Sequence, residues 1–505
     1  MDHARRATHR RSRPRPTPRV LALLAALLLA GAGSAPGDGD LPDAVLPPED
    51  RCPVISRPAT PGAEDASAIR LREGMVLGIE DLFALRTLLP EEVWQHREVF
   101  FYEGMRLEIG PCHRRYPVPA HWSRATGRFA GRVKLDEEGN LRGYVAGVPF
   151  PPGAIDESTD PLAGLKWAWN LELRYRGSGP VGSFRLTDMP SRLGSVETYE
   201  GDFFLVRTRG RSDLPETQYV VPEAEKNLWV AGGRFHEPTN ARHLAWRQFR
   251  PDRSLTRYKE ADDTFVYVPT MRKTRRAAST WVDGLFTPRY TVSGDSGGGP
   301  VPFGASEFGV QGSIQPTAGR SAAASEHIRR GFTGLAIRPN AWHFRYAGAR
   351  EVLAPLNGER PGWPLNPDRN FGPSGLSVAT DRWDVRYAVV IEGLAKRRLD
   401  DAAHLKLYVD YQTGQPLYYI TRRSNGLLLE VGILVHRFSD DTHDYPPTPD
   451  GGKASVFDPV AAVFHSTAEG GTGWRRESYD VRSVGVDPDT LREMTSVSAL
   501  TRRGR

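Results

Sequence analysis

The stretch KLYVDYQTGQPLYYITRR, residues 406–423, decides the fold class of this chain. Two runs rich in Tyr, Leu, Val and Ile flank Thr413 and Gly414, and such runs around a glycine-containing turn predict an antiparallel β-hairpin. Similar runs recur along the chain, for example GDFFLVRTRG (201–210), DDTFVYVPTMRK (262–273) and DRWDVRYAVVIEG (381–393). Because strand patterns far outnumber helical ones, the sequence predicts a mainly β (α+β) fold built on a large curved antiparallel sheet or open half-barrel.

The segment KWAWNLELRYRG (166–177) is assigned to the same sheet, since Trp167, Trp169 and Leu171 alternate with more polar residues. Helical spacing is confined to two other places. Residues 70–104 predict two short helices, the second opening at Pro90 and the two glutamates after it. The stretch DPDTLRE (487–493) predicts a short final helix.

The first 35 residues read as a secretory signal peptide, with an Arg-rich start, an apolar run over residues 20–29 and small residues after it. A membrane anchor is the alternative, but a spanning helix needs about 20 apolar residues. These residues contain seven Arg and one Asp, so without them Lys+Arg falls from 67 to 60 and Asp+Glu from 61 to 60. A balanced mature chain gives no indication of nucleic acid as a partner.

The amino-acid composition divides residues 36–505 into three segments. Residues 36–66 form an irregular Pro/Gly-rich lead-in segment, and residues 67–440 form the main domain, with long loops at 287–332 and 354–377. Residues 441–505 are expected to be a C-terminal extension that carries the final helix. Cys52 and Cys112 either form a disulfide, as an exported protein permits, or remain two separate buried thiols.

The string GDSGG (294–298) matches the surroundings of the nucleophilic serine in trypsin-like proteases. A protease of that kind needs a histidine base and an orienting aspartate upstream of Ser296. The upstream candidate His121 lies in VPAHWSRA, which has no matching context, so the string is interpreted as a glycine-rich loop. The chain also lacks HExxH, CxxC and Walker motifs, and we expect a non-enzymatic protein without metal or cofactor.

Longer stretches carry a family resemblance. LDEEGNLRGYVAGVPFPPGAIDESTDPLAGLKWAWNLELRYRG (135–177) resembles the signature of a family of uncharacterised exported proteins of Gram-negative bacteria, a domain of unknown function that is outer-membrane lipoprotein-sorting-like. The matching positions are Tyr144, Ala146, Gly147, Pro149, Phe150, Pro151, Asp160, Pro161, Ala163, Gly164, Lys166, Trp169 and Asn170. DDTFVYVPTMRKTRRAAS (262–279), the strands of residues 382–420 and DPDTLRE are similar to later stretches of that family. The resemblance implies a lipoprotein-carrier-like half-barrel, similar to the periplasmic lipoprotein carrier and its outer-membrane receptor, with helices covering its open side around an apolar cavity.

The resemblance also implies a location in the periplasm or at the periphery of the outer membrane. It implies as partners a hydrophobic ligand or lipid and an inner-membrane exporter of the resistance-nodulation-division type. Candidate cavity residues are the alternating apolar side chains Trp167, Trp169, Phe203, Leu205, Phe265, Tyr267, Tyr387 and Tyr408. Arg272, Arg275 and Arg276 are candidates for a head group or a docking partner.

The predicted function is therefore uptake of a lipid or lipid-like compound and its transfer to or from membrane machinery. A structural or adaptor protein of an envelope export complex is the main alternative, and a serine hydrolase using Ser296 is a lesser one. A cavity large enough for an acyl chain distinguishes the carrier from the adaptor.

Overall fold

A computed structural model of the chain describes residues 46–56, 68–189, 196–214, 225–239, 241–269, 272–276, 285–288, 328–331, 334–358, 371–396, 402–439, 445–447, 452–467 and 473–502. Within these ranges the strands are β1 Val54–Ser56, β2 Ala68–Arg70, β3 Val76–Leu77, β4 Leu107–Cys112, β5 Lys134–Leu135, β6 Leu141–Arg142, β7 Val181–Met189, β8 Glu197–Arg207, β9 Asn227–Glu237, β10 Ala245–Pro251, β11 Asp263–Val268, β12 Lys273–Arg276, β13 Leu285–Pro288, β14 Ile328–Gly331, β15 Trp342–Ala354, β16 Arg382–Ala395, β17 Ala402–Asp410, β18 Pro416–Arg423, β19 Leu428–Phe438, β20 Phe457–Ser466 and β21 Gly473–Arg482.

The α-helices of the described residues are α1 Glu91–Gln95, α2 Arg97–Phe100, α3 Ala120–Phe129, α4 Ala163–Glu172, α5 Pro488–Thr495 and α6 Ser498–Arg502. Short 3₁₀ turns occur at Ile79–Asp81, Arg86–Leu88, Ala130–Arg132, Pro152–Ala154, Asp252–Leu255 and Pro339–Ala341. None of the helices in the described ranges is both long enough and apolar enough to cross a membrane.

Fifteen of the described strands form one sheet. Fourteen follow the order β12-β11-β10-β9-β8-β7-β21-β20-β19-β18-β17-β16-β4-β3, and the fifteenth, β15, lies outside this order and pairs with β16. Neighbours are antiparallel except β4 and β16, which run parallel. The two end strands of this order, β12 and β3, do not pair with each other, so the sheet is open. The prediction of a mainly β fold built on a large antiparallel sheet is confirmed.

The hairpin that decided the fold class is formed by β17 and β18, as predicted. Its turn is longer than two residues and spans positions 411–415. Oδ1 of Asp410 closes it by accepting hydrogen bonds from the backbone N and the Oγ1 of Thr413, each at 2.8 Å. Gly414 follows with a φ of 67°, a left-handed conformation that glycine adopts without steric cost.

The curvature of the sheet follows from the contacts of α4. This helix packs against β15 and β16, while Oε1 of Glu172 at its end accepts a hydrogen bond at 3.3 Å from Nε1 of Trp229 on β9. Eight strand spacings separate β9 from β16 in the sheet order, a distance of about 38 Å if the sheet were flat. A ten-residue helix is only about 15 Å long. The sheet must therefore bend around α4, and we call the face that contacts α4 the inner face.

The outer face is covered by both ends of the described chain. Apolar side chains of residues 52–116 pack on β16–β20 in one cluster, and α5 and α6 pack on the outer side of β8–β12. The predicted helix after Pro90 is present as α1 and α2, but the first predicted helix of residues 70–104 is replaced by two 3₁₀ turns. The final helix is confirmed, with the side chain of Asp487 accepting from the backbone N of Thr490 at 2.9 Å.

Two predicted boundaries are not those of the structure. Residues 441–505 are not an extension, because β20 and β21 lie in the middle of the sheet and β21 pairs with β7 along nine residues. The lead-in segment also takes part in the fold: Ile55 is buried in β1, which pairs with β2. Cys52 and Cys112 form a disulfide that ties this segment to β4. Most of the loop at 287–332 and half of the loop at 354–377 fall outside the described residues.

Candidate functional site

Helix α4 occupies the space that the sequence assigned to a ligand. KWAWNLELRYRG is not a strand: residues 163–172 are helical and all but Lys166 are buried. A helix surrounded by protein needs no polar stripe, so its apolar residues also satisfy the two-residue period of a strand. Gly164 lets the helix lie directly on β15, because a Cβ there would collide with the backbone at Arg345 and Tyr346.

Polar side chains fix the helix in place. Nε1 of Trp167 donates to Oε1 of Glu157 at 3.1 Å, and Nε1 of Trp169 donates to the carbonyl of Gly139 at 3.2 Å. The amide of Asn170 bonds both backbone groups of Phe150: its Oδ1 accepts from N at 3.1 Å and its Nδ2 donates to O at 2.6 Å. The loops of residues 139–157 thus hold α4 against the inner face.

The predicted cavity residues divide between the two faces. Trp167, Trp169, Phe203, Leu205 and Tyr387 belong to the apolar cluster of the inner face. The assignment of the other three to one cavity is wrong, because they lie on the outer face: Phe265, Tyr267 and Tyr408.

The wrong assignment of these three residues results from the register of the strands. Successive side chains of a strand point to opposite faces of the sheet. Alternation shows which residues of one strand lie on the same face. It does not show which face of the sheet that is, so residues chosen from different strands can lie on opposite faces. On β17 the inner positions are Leu407 and Val409, so Tyr408 between them points outward. On β11 Tyr267 packs in the outer cluster that contains Leu500 of α6.

Two small cavities lie beside the end of α4. The inner one is lined by Arg174, Arg176, Leu205, His436 and other residues, and the outer one by residues of the segments 174–177 and 210–213 together with Trp122 and Arg207. Each has a volume of about 10 Å³, the room of one water molecule. Around these cavities, side chains of the described residues, those of α4 among them, pack on the inner face.

Four arginines surround the two cavities, and we call them the arginine niche: Arg174, Arg176, Arg207 and Arg211. Arg174 donates to Oε1 of Gln415 at 2.8 Å and to the carbonyl of Leu171 at 2.6 Å.

Arg207 likewise donates to the carbonyls of Arg209 and Arg174, at 3.1 and 3.3 Å, and to the hydroxyl of Tyr144 at 3.4 Å. Among the described residues, neither Arg174 nor Arg207 has a carboxylate acceptor.

The other two arginines of the niche each have one carboxylate partner. Nη2 of Arg176 lies 3.7 Å from Oε2 of Glu172, which also accepts from the backbone N of Ile337 at 2.8 Å. Arg211 donates through Nε to Oδ1 of Asp213 at 2.6 Å and through Nη2 to its Oδ2.

The surroundings oppose the positive charge of the niche. Burial, reinforced by the neighbouring guanidinium of Arg176, holds the pKa of Arg174 well below its ordinary value. Burial also lowers the pKa of Arg176 to about 10, against the opposing influence of Glu172. The niche was not predicted from the sequence, because the segment 166–177 was assigned to a strand of the sheet. The available signal was the RYRG string directly after an aromatic run.

The predicted docking arginines lie elsewhere: Arg275 and Arg276 are on the edge strand β12, and Arg272 directly precedes it. Arg272 is exposed, Arg275 is partly exposed, and Arg276 forms an ion pair with Asp263. Ser296 and the GDSGG string lie outside the described residues. In the described ranges, no three His, Cys, Asp or Glu side chains come together as metal ligands would.

Solved structures of 12% sequence identity align with this chain. A domain assigned to outer-membrane lipoprotein sorting from Vibrio parahaemolyticus covers 68% of this chain and 100% of its own, with a TM-score of 0.36. A DUF1329 family protein from Desulfovibrio piger gives the same coverage and a TM-score of 0.37. A LolA superfamily protein from Nitrosomonas europaea covers 66% of this chain and 97% of its own, with a TM-score of 0.30.

No curated protein matches the sequence. Residues 91–292 match the model of a family described as protein of unknown function, DUF1329. That range contains α4, the arginine niche and the two motif stretches 135–177 and 262–279. The family resemblance drawn from these motifs is therefore confirmed.

Proposed function

We propose that the protein is an exported, non-enzymatic protein of the periplasm or the outer-membrane periphery that binds a lipid or lipid-like molecule on its inner face. It passes this molecule to or from membrane machinery. The observation that carries the proposal is α4: a mostly apolar helix, held by a curved sheet whose inner face contributes buried apolar side chains from twelve strands. The described form is then the closed one, in which α4 takes the place of the ligand.

Replacement of α4 by an acyl chain costs the side chains of the sheet little burial free energy. The inner-face side chains stay covered by apolar surface in both states, so burial worth about 25 cal/mol per Å² is exchanged and not lost. The cost lies in the polar anchors of α4 at Glu157, Gly139 and Phe150. Because the open form is a minor state, the apparent affinity is the intrinsic affinity reduced by the open fraction.

The first experiment is native mass spectrometry of the protein purified from its own envelope, followed by organic extraction of what it carries. We expect a stoichiometric lipid or lipid-like adduct. A clean apo mass that incubation with envelope lipids leaves unchanged would contradict the carrier proposal.

A second experiment tests the part played by α4. Asn170→Ala removes the bonds to Phe150, and we expect it to bind an uncharged probe, a pyrene-labelled monoacylglycerol, several-fold more tightly than the wild type. Asn357→Ala is the matched control, since Asn357 is also buried and accepts from the backbone N of Phe438 at 2.9 Å but does not hold α4. Equal affinities in both variants would separate ligand binding from α4 movement.

A structural or adaptor role is the second candidate, and the volumes of the cavities favour it. At about 10 Å³ each, neither admits an acyl chain without rearrangement. If the wild type and Asn170→Ala both fail to bind the probe and no lipid copurifies, the adaptor becomes the better description.

A further inference from the structure

We propose that the arginine niche is a binding site for a phosphate group, carried by a lipid head group or free in solution. The site is defined by Arg176 and Arg211, with Arg174 and Arg207 behind them. It does not depend on the proposed carrier function, because a free phosphate can test it without any apolar ligand.

The first argument is charge. The niche brings four guanidinium groups together, and among the described residues two carboxylates contact them, those of Glu172 and Asp213. Asp262, the acid of the neighbouring buried cluster, already pairs with Arg250 and Arg338. Buried charge without a counter-charge is costly. A phosphate monoester carries a charge of about −1.5 to −2 near pH 7, which matches the excess of the niche.

The second argument is unused donors. Nε of Arg176 and Nη1 of Arg211 are buried and have no hydrogen-bond partner among the described residues. Both arginines line the outer cavity, and Arg176 also lines the inner one. Guanidinium groups present donors in the planar arrangement that suits phosphate oxygens. The hydroxyl of Ser212, which lines the same cavity 2.8 Å from Nδ1 of His121, can supply a neutral donor.

The third argument is access. The outer cavity is bounded by residues 210–213, which are partly or fully exposed. A volume of about 10 Å³ holds one oxygen atom and not a whole phosphate. The oxyanion would therefore insert one oxygen between Arg176 and Arg211 and keep the others on the solvent side, where an ester-linked chain can continue.

Titration calorimetry with inorganic phosphate is the first arm of the test, and sedimentation with phosphatidylcholine vesicles that contain phosphatidic acid is the second. The variant is Arg211→Gln, which removes one donor at the partly exposed rim. The matched control is Arg209→Gln, which removes the same charge two residues away, where the side chain pairs with Asp252. Thermal unfolding without phosphate verifies that each variant folds.

We expect Arg211→Gln to bind at least about tenfold more weakly, as loss of a charge-assisted bond implies, and Arg209→Gln to bind as the wild type does. Binding of inorganic phosphate identifies a free phosphate as sufficient, and binding to the vesicles alone identifies a lipid head group. No binding in either arm, or equal loss in both variants, overturns the proposal. If Arg211→Gln does not fold, Arg207→Gln takes its place with the same expected loss.

Discussion

The stability of the fold should depend on the ionisation of Asp384, a fully buried residue of β16. Its Oδ2 accepts a hydrogen bond at 2.6 Å from the hydroxyl of Tyr116, and its Oδ1 has no hydrogen-bond partner among the described residues. Burial raises the pKa of Asp384 from 3.8 to about 6, although Tyr116 and Arg386 act in the opposite direction. The folded protein therefore holds a proton on this carboxyl at pH values where the unfolded chain has released it.

The sign and the size of the effect follow from linkage. A raised pKa in the folded state stabilises the protein fully below pH 3.8, and this contribution is lost as the pH rises through about 6. A difference of roughly two pKa units corresponds to about 3 kcal/mol. Asp384→Asn keeps the size of the side chain and an acceptor for Tyr116 but cannot ionise. Between pH 4 and 7, the wild type should lose about 3 kcal/mol of unfolding free energy relative to this variant.

Urea denaturation of both proteins, followed by tryptophan fluorescence from pH 3.5 to 8, measures this difference. A difference that is constant across the range, or that moves in favour of the wild type as the pH rises, would refute the reasoning. Tyr116→Phe gives a further check. It removes the hydroxyl that stabilises the carboxylate, so the folded-state pKa of Asp384 should rise further. The loss of stability should then begin at the same pH, because the unfolded chain sets that limit, but should extend to a higher pH and be larger than in the wild type.

Three more predictions concern other parts of the fold. Burial lowers the pKa of His436 from 6.5 to about 4, so the protein should lose about 3 kcal/mol as the pH falls through that range; urea titrations of His436→Gln should lack this loss. Reduction of the Cys52–Cys112 disulfide, which closes a loop of 60 residues, should lower the unfolding free energy by about 4 kcal/mol in urea with dithiothreitol. Gly164→Ala should destabilise by more than about 1 kcal/mol through collision with β15, whereas Gly127→Ala in α3, with open space at its Cβ, should stabilise by about 0.5–1 kcal/mol in thermal unfolding.

Local sequence patterns predicted the elements whose turn and cap residues lie within the element itself. The hairpin around Gly414 has polar turn residues between apolar strands, and the final helix has Asp487 and Pro488 at its start, so each can be recognised without knowing what it packs against. α4 could not be recognised in this way. Nine of its ten residues are buried, and burial on every side is a property of the whole fold and not of the ten residues.

The candidate site was predictable only in part, for a related reason. The aromatic content of the inner face was visible in the sequence, but the sharing of a face by Phe203 and Tyr387 depends on the register of strands that are far apart in the chain. The arginine niche joins residues 174–176 to the stretch 207–211. The two meet because residues 178–180 run beside the end of β8, where the backbone N of Arg207 donates to the carbonyl of Ser178 at 2.9 Å. No single stretch contains that information.

The two proposals are coupled through α4, and the sign of the coupling follows from the structure. Glu172 ends the helix and Arg174 and Arg176 follow it directly, so displacement of α4 would move the groups that line the niche. A phosphate held between Arg176 and Arg211 should favour the docked position of α4 and weaken binding of an apolar ligand. Linkage requires the apolar ligand to weaken phosphate binding by the same factor. Titration of the pyrene probe with and without saturating phosphate measures this factor, and equal affinities would mean that the ligand enters without moving α4.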